Sequence, residues 1–335
     1  MAEMTGSDHA LPASVRVCEC WSRDGIQSWS EVIPTDQKVA VLDRALAAGV
    51  REFDATSFVP VKVVPQFFDS VAILDHLAGR DVYVRVLAPN LRGFQLAIEA
   101  NERTGAINAI GFPISASEAH NVANVRRTHD QHLAEIKEMV QAGLGAGIQV
   151  MAAVATAFGC PIIGQVDEEV VFDIAGTLVD YGVSRLMLSD TTGLADPVRV
   201  RRFAERAKRD FPSVEMIAHF HDTRGTGLLN TWAAMENGIT TLDASLGGLG
   251  GEPKSVEQNH FGETGNVATE DLVVALERAG VSTGIDLPAL MDAGRAQERV
   301  TGAASRAQVL RTGAGLPSSD KAVRTNDADT TVPTP

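Results

Sequence analysis

Three cysteines, no excess of positive charge and no long hydrophobic run set the first limits on this 335-residue chain. Three thiols cannot build a disulfide framework. Cys18 and Cys20 lie two apart, on one face of an apparent strand, too close to bridge each other. Reduced, buried thiols are expected, which fits a reducing compartment, the cytoplasm. The net charge is −14. That excludes broad nucleic-acid binding, because phosphate contacts need a basic surface. An anionic substrate must then be held by a few local cations or a metal. No stretch is long and apolar enough for a membrane partner to be expected. Residues 1–14 have neither the apolar core of a signal peptide nor the Arg-rich pattern of a transit peptide, and read as a flexible leader.

What is present is a globular composition, 44% hydrophobic with 30 glycines. Short apolar runs alternate with longer amphipathic ones. The strands expected are Val15–Trp21, Glu52–Phe58, Val82–Pro89, Ala106–Pro113, Gly147–Thr156, Arg185–Asp190, Glu215–Asp222 and Leu242–Leu249. Between them, Thr35–Ala48 reads as a helix capped by Thr35 and stopped by Gly49. Asp167–Tyr181 reads as another, closed by Gly182, and Pro197 opens a third. Eight strands in β-then-α order predict a parallel sheet closed into a (β/α)₈ TIM barrel, an α/β fold in one domain. The rival is an open doubly wound sheet, but no Gly-rich dinucleotide fingerprint follows the first strand. The barrel domain is expected to span 15–300, the last helix lying near Pro288–Val300. Residues 301–335 turn to Gly, Ser, Asp, Thr and Pro and read as a disordered tail.

Barrel active sites form at the C-terminal ends of the strands. Strand one ends in Arg23-Asp24-Gly25-Ile26-Gln27. Adjacent residues on an extended chain point apart, so Arg23 and Asp24 are expected to serve separate tasks; a plain surface pair is the other reading. Strand seven ends in His219-Phe220-His221-Asp222. Two His at i and i+2 share one face of a strand and can bind one metal, or be satisfied core histidines. Strand eight leads into Gly247-Gly248-Leu249-Gly250-Gly251, by composition a mobile loop able to close over substrate. Asn266, before the helix start at Thr269, can offer a carbonyl oxygen or simply shape a turn. Asp24, His219, His221 and Asn266 together supply oxygen and nitrogen donors. That mixture suits an octahedral Mg²⁺ or Mn²⁺, with Zn²⁺ or Co²⁺ as substitutes.

These segments resemble the 3-hydroxy-3-methylglutaryl-CoA lyase family, within the metal-dependent barrel lyases and Claisen synthases. The resemblance runs from Val15 to Ala279. It rests on Arg23 to Gln27, Asp54 to Val59, Lys62 with Val64-Pro65-Gln66, Pro89 to Phe94, and Ser117-Glu118. Gly159-Cys160-Pro161, Ser189-Asp190-Thr191, His219 to Thr223 and Gly265 to Asp271 complete the set. It implies that Asp24, His219, His221 and Asn266 are the metal ligands and that Arg23 stabilises an enolate oxygen. Asp54 stands where the family has Glu, in an acid–base or orienting role. Gln27, Ser57, Lys62, Arg92 and Asp190 would line the substrate. Glu19 would be a supporting carboxylate or a buried ion-pair member. The sequence departs from the family where a catalytic Cys is expected, for Gly250-Gly251 is followed by Glu252, the candidate replacement acid. Met151 stands where the family has Arg. The implied partner is an acyl-CoA-type substrate, cleaved at a carbon–carbon bond by a homodimer or larger homo-oligomer. The alternatives are the reverse Claisen-type condensation of an acyl-CoA with a 2-oxo acid, and a non-catalytic homologue.

Overall fold

A computed structural model of the chain describes residues 11–251 and 265–315. Eight parallel strands close into a barrel in sequence order, β1 pairing with both β2 and β8. They are β1 (Arg16–Glu19), β2 (Glu52–Ser57), β3 (Tyr83–Leu87), β4 (Ala109–Ser115), β5 (Gln149–Ala155), β6 (Arg185–Leu188), β7 (Glu215–Ala218) and β8 (Thr241–Ala244). All eight expected strands form, each shorter than or equal to its apolar run. The outer ring holds α1 (Thr35–Ala47), α2 (Ser70–Leu77), α3 (Leu91–Thr104), α4 (Glu118–Val125), α5 (His129–Gly145), α6 (Glu168–Tyr181), α7 (Pro197–Asp210) and α8 (Gly227–Glu236). Among the described residues, three more helices follow the barrel: α9 (Thr269–Arg278), α10 (Leu287–Thr301) and α11 (Gln308–Thr312).

Local chemistry sets the helix ends. Asp196 accepts from the amides of Val198 and Arg199, and Pro197 fills the first position of α7. Asp167 caps α6, and Gly182 closes it in the left-handed region. One expected cap differs. Thr35 lies inside α1, its hydroxyl bonded to Asp69 at 2.8 Å, where Asp69 also meets buried Lys38 at 2.9 Å. A long-range pair recruited the side chain that local pattern assigned to capping.

The strands bury both faces, as barrel strands must. Outward residues such as Val17, Phe53, Val84, Ile110, Val150, Leu186 and Leu242 form the large core beneath the helices. The barrel interior is divided. Ala109, Met151, Met187 and Ile217 pack as a separate apolar cluster. The other half is ionic. Glu52 meets Arg16 at 3.3 Å, Arg185 at 2.9 Å and Arg85 at 3.4 Å; Arg185 also meets Glu215 at 2.8 Å, and Arg85 meets Asp243 at 2.6 Å.

Past residue 300, where the barrel domain was expected to close, α11 is tied back to α9. The backbone amides of Gln308 and Val309 donate to the Asp271 carboxylate at 2.8 and 2.9 Å, and Ala307 and Leu310 are buried. A single carboxylate thus starts a helix too short and polar to be seen as a periodic pattern. The remaining expected tail, 316–335, lies outside the described residues, as do 1–10 of the leader. Among the described residues no helix is long and apolar enough to cross a membrane.

Gly49 ends α1 as expected, with φ +101°, and a Cβ there would lie 2.5 Å from the Gly284 carbonyl oxygen. Gly49→Ala therefore combines a left-handed backbone with a clash against main chain. It should destabilise the fold by about 1–3 kcal/mol, the range for such strain. Urea unfolding checks this; an unchanged midpoint would show that the turn relaxes freely.

Candidate active site

The chain leaves β1 in one wide helical turn, Trp21–Gly25, all of it buried. This turn overturns one sequence expectation. Arg23 and Asp24 do not diverge, because the backbone there is helical and not extended. The Arg23 guanidinium donates to Asp24 Oδ1 at 2.7 Å and, through Nε, to Asp54 Oδ2 at 2.7 Å. All three side chains are at least nine-tenths buried. Asp54 sits in β2 beside a register shift between Asp54 and Thr56. Such a bulge re-aims a side chain. Burial pushes the Asp24 carboxyl up, but Arg23, His221 and His219 outweigh it and hold it well below the usual range.

His219 and His221 follow β7, their ring centroids 5.3 Å apart. One donor atom from each of Asp24, His219 and His221 lies within 4.8 Å of the others. His219 Nδ1 faces Asp243 Oδ2 at 3.1 Å, which leaves its Nε2 for a ligand. Both His221 ring nitrogens are buried without a hydrogen-bond partner, and its Nε2 lies 3.8 Å from Asp24 Oδ2. Burial and neighbouring His219 push the His221 imidazole down to about 4. A neutral imidazole with orphaned nitrogens beside an ionised carboxylate fits a divalent cation. Asn266 completes the group. Its Nδ2 donates to Asp24 Oδ2 at 2.6 Å and to the Leu249 carbonyl at 3.0 Å. Ligation by its oxygen takes the amide turned over, an orientation that hydrogen-bond partners decide.

The glycine run after β8 packs closely against its surroundings. Gly247, Gly248 and Gly251 are buried and carry positive φ. Gly250 has none but backbone to offer because a Cβ there would lie 2.2 Å from Asn266 Nδ2 and 3.1 Å from Asp24 Oδ2. The Gly247 amide donates to both Glu270 oxygens, at 3.1 and 3.0 Å, and the Gly247 carbonyl accepts from the Arg306 amide at 2.9 Å. Burial pushes the Glu270 carboxyl up to about 8. Gly250 serves close approach to the cluster, whereas Gly247 makes room for Gln297 and Ser305. Glu252 itself lies outside the described residues.

The other expected residues have these places. Glu19 accepts from the amides of Trp21 and Leu246 and from the Thr269 hydroxyl, tying β1, β8 and α9 together. Asp190 accepts from the amides of Leu194 and Ala195, and burial raises its carboxyl to about 6. Ser57 donates to the Leu87 carbonyl at 3.1 Å. Gln27 is half-buried just beyond the wide turn. Lys62 and Arg92 are exposed; Arg92 pairs with Glu99 at 3.5 Å. Arg92 shares a groove of ≈ 720 Å³ with Ser57 and Phe58. Sequence reasoning missed Asp243 and Arg85. Their signal was a charge in mid-strand inside an apolar run.

Fold and site together define a class: a TIM barrel with a metal-type cluster of Asp24, His219 and His221 beyond the C-terminal ends of its strands. More particularly, the chain belongs to the HMGL-like family, whose pattern matches residues 14–296. It is 34% identical to the mitochondrial hydroxymethylglutaryl-CoA lyase of Bos taurus, over 88% of this chain and 87% of that one. It is equally 34% identical to the hydroxymethylglutaryl-CoA lyase of Bacillus subtilis, over 85% and 92%. Among solved structures, the Bacillus subtilis HMG-CoA lyase superposes with a TM-score of 0.82 at 32% identity, covering 90% of this chain and 98% of that one. An HMG-CoA lyase from Acinetobacter baumannii, in complex with coenzyme A and 3-methylmalate, superposes at 0.81 with 34% identity, covering 98% and 100%.

If Asp24, His219, His221 and Asn266 are the donors, His219→Ala combined with His221→Ala strips the protein of bound Mn²⁺. Equilibrium dialysis checks this. A folded double variant that still holds one Mn²⁺ per chain would rule the assignment out.

Proposed function

We propose that the protein cleaves a 3-hydroxy-3-methylglutaryl-CoA-like hydroxyacyl-CoA, releasing an acyl-CoA and a keto acid or ketone. The observation that carries this reading is Arg23 seated between Asp24 and Asp54 at the rim of the Asp24–His219–His221 cluster. The relatives named as hydroxymethylglutaryl-CoA lyases, and the related structure in complex with coenzyme A and 3-methylmalate, support the substrate class.

Asp24, His219, His221 and Asn266 would hold the divalent ion, for which Mg²⁺ or Mn²⁺ suits the mixed oxygen and nitrogen donors. Such an ion, when bound, polarises the substrate oxygens and lowers the pKa of the hydroxyl. The chain's own residues do the rest. Asp54, touching Arg23 and facing the cluster, takes or orients the hydroxyl proton. The C–O bond becomes a carbonyl, and the electron pair of the breaking C–C bond passes to the thioester α-carbon. Arg23 supplies fixed positive charge to the enolate oxygen that results. A general acid then protonates the α-carbon. Glu252, in the position of the family's thiol, is the residue we assign to that step. Residues Gln27, Ser57, Lys62, Arg92 and Asp190 remain the proposed substrate contacts.

The test is a panel of hydroxyacyl-CoAs incubated with enzyme and Mn²⁺, with products read by mass spectrometry. Cleavage to an acyl-CoA plus a carbonyl product is expected; a folded, metal-loaded protein inert on the whole panel would overturn the reading. Arg23→Met should lower kcat by about 10²–10³, the range for losing one oxyanion donor. A near-normal kcat in the folded variant rules out that role. Glu252→Gln should lower kcat strongly with KM little changed. Alkylating agents should leave the wild type active, since Cys18, Cys20 and Cys160 are all buried. Full activity in Glu252→Gln would move the proton donor elsewhere, with Asp54 the next residue to test.

A further inference from the structure

Beneath the metal-type cluster lies a group of buried charges that the proposed chemistry does not use. Asp243 stands on β8, level with Cys18 on β1. One of its oxygens, Oδ2, meets His219 Nδ1 at 3.1 Å, and the other, Oδ1, meets Arg85 Nη2 at 2.6 Å. Arg85 Nε in turn lies 3.4 Å from Glu52 Oε1, which also meets Arg185 Nη2 at 2.9 Å. Arg85, Glu52 and Asp243 have side chains at most 1% exposed.

Two simpler readings fail. The first is a second metal site, since Cys18, Cys20 and Asp243 could hold a cation. That place is taken: the Arg85 guanidinium contacts Cys18 Sγ, lies 3.9 Å from Cys20 Sγ and pairs with Asp243. The resident cation is an arginine. The second is that these charges merely fill space. The apolar half of the same interior, with Ala109, Met151, Met187 and Ile217, shows that hydrophobic side chains fill this barrel. Replacing buried ion pairs by such residues is commonly neutral or stabilising, so packing alone does not explain them.

What the ionic half supplies is direction. An imidazole that ligates a metal is oriented by what its other nitrogen bonds. Asp243 bonds that nitrogen of His219, and Arg85 fixes the opposite oxygen of Asp243, so the carboxylate cannot swing. We propose that Arg85 and Asp243 are positioning residues that aim His219 at the ion, Arg85 acting through Asp243. This rests on the metal-dependent reading above.

The experiment measures metal directly, without substrate. Mn²⁺ dissociation constants are read by electron paramagnetic resonance for wild type, Asp243→Asn, Arg85→Met and Arg85→Lys. The absorption spectrum of each Co²⁺-loaded protein reports the ligand geometry, and circular dichroism reports the fold. Asp243→Asn should weaken Mn²⁺ binding by about 10–100-fold, the range for losing such a partner, and shift the Co²⁺ spectrum. Arg85→Met should act in the same direction. Arg85→Lys should recover part of the affinity, keeping the charge but not the fork. If Arg85→Met fails to fold, the other two variants decide. Wild-type affinity and spectrum in folded Asp243→Asn overturn the proposal and leave the lyase reading standing. Wild-type affinity in folded Arg85→Lys together with Arg85→Met overturns the part assigned to Arg85. A wild-type protein that binds no Mn²⁺ overturns both readings.

Discussion

The Arg23 guanidinium sits between two buried carboxylates, and the geometry of the mouth follows from it. Asp24 and Asp54 come from different elements, the turn after β1 and strand β2, and one planar cation holds both at 2.7 Å. Taking three charges out of water is costly, and breaking such a pair strands the partner, at about 3–5 kcal/mol. The wide turn Trp21–Gly25 is the backbone's answer to that demand. It brings the Asp24 carboxylate to the guanidinium of its neighbour Arg23, two side chains an extended chain would separate. With Asp24 fixed, its second oxygen is available to Asn266 and lies near His221.

Close packing around that pair dictates what the neighbouring loops can be. Gly250 passes against Asp24 and Asn266 with no room for a Cβ. Glu270 grips the Gly247 amide, and the segment after α10 grips its carbonyl. A carboxylate buried in that position is disfavoured as an ion, which is why its pKa rises to about 8. The segment around Arg306 is therefore part of the site's support. Its own anchor is Asp271, one residue after Glu270, so the start of α9 braces both the glycine run and the C-terminal segment.

Beneath the mouth, the interior is asymmetric. Ala109, Met151, Met187 and Ile217 fill one part, while Arg16, Glu52, Arg85, Arg185, Glu215 and Asp243, from β1, β2, β3, β6, β7 and β8, form an alternating set of acids and bases. Each buried carboxylate there has at least one cation, and Glu52 has three. The Met151 position, an Arg in the family pattern, belongs to the apolar part. That substitution removes a cation from one wall, while Arg85 places one against the opposite strands.

The sequence by itself determined the architecture and pointed to the cluster of Asp24, His219 and His221. Eight apolar runs alternating with amphipathic ones leave few closed arrangements, because parallel strands buried on both faces need helices between them. The i, i+2 spacing of His219 and His221, just past β7, and the place of Asp24 just past β1 brought all three to the same mouth. Those are properties of short stretches, read from period and order. Only the tertiary structure decided that Arg23 and Asp24 share a bond, since that depended on a helical turn no local pattern announced. Only it showed Asp271 starting α11, Gly250 packed against Asn266, and Thr35 spent on Asp69 and not on a cap. Charges such as Arg85 and Asp243 stood in plain view within apolar strands, 158 positions apart. Their pairing was invisible because it is made by closure of the barrel, which sets residues side by side that share no local segment. Burial then gives each such charge its meaning, and burial is a property of the whole fold.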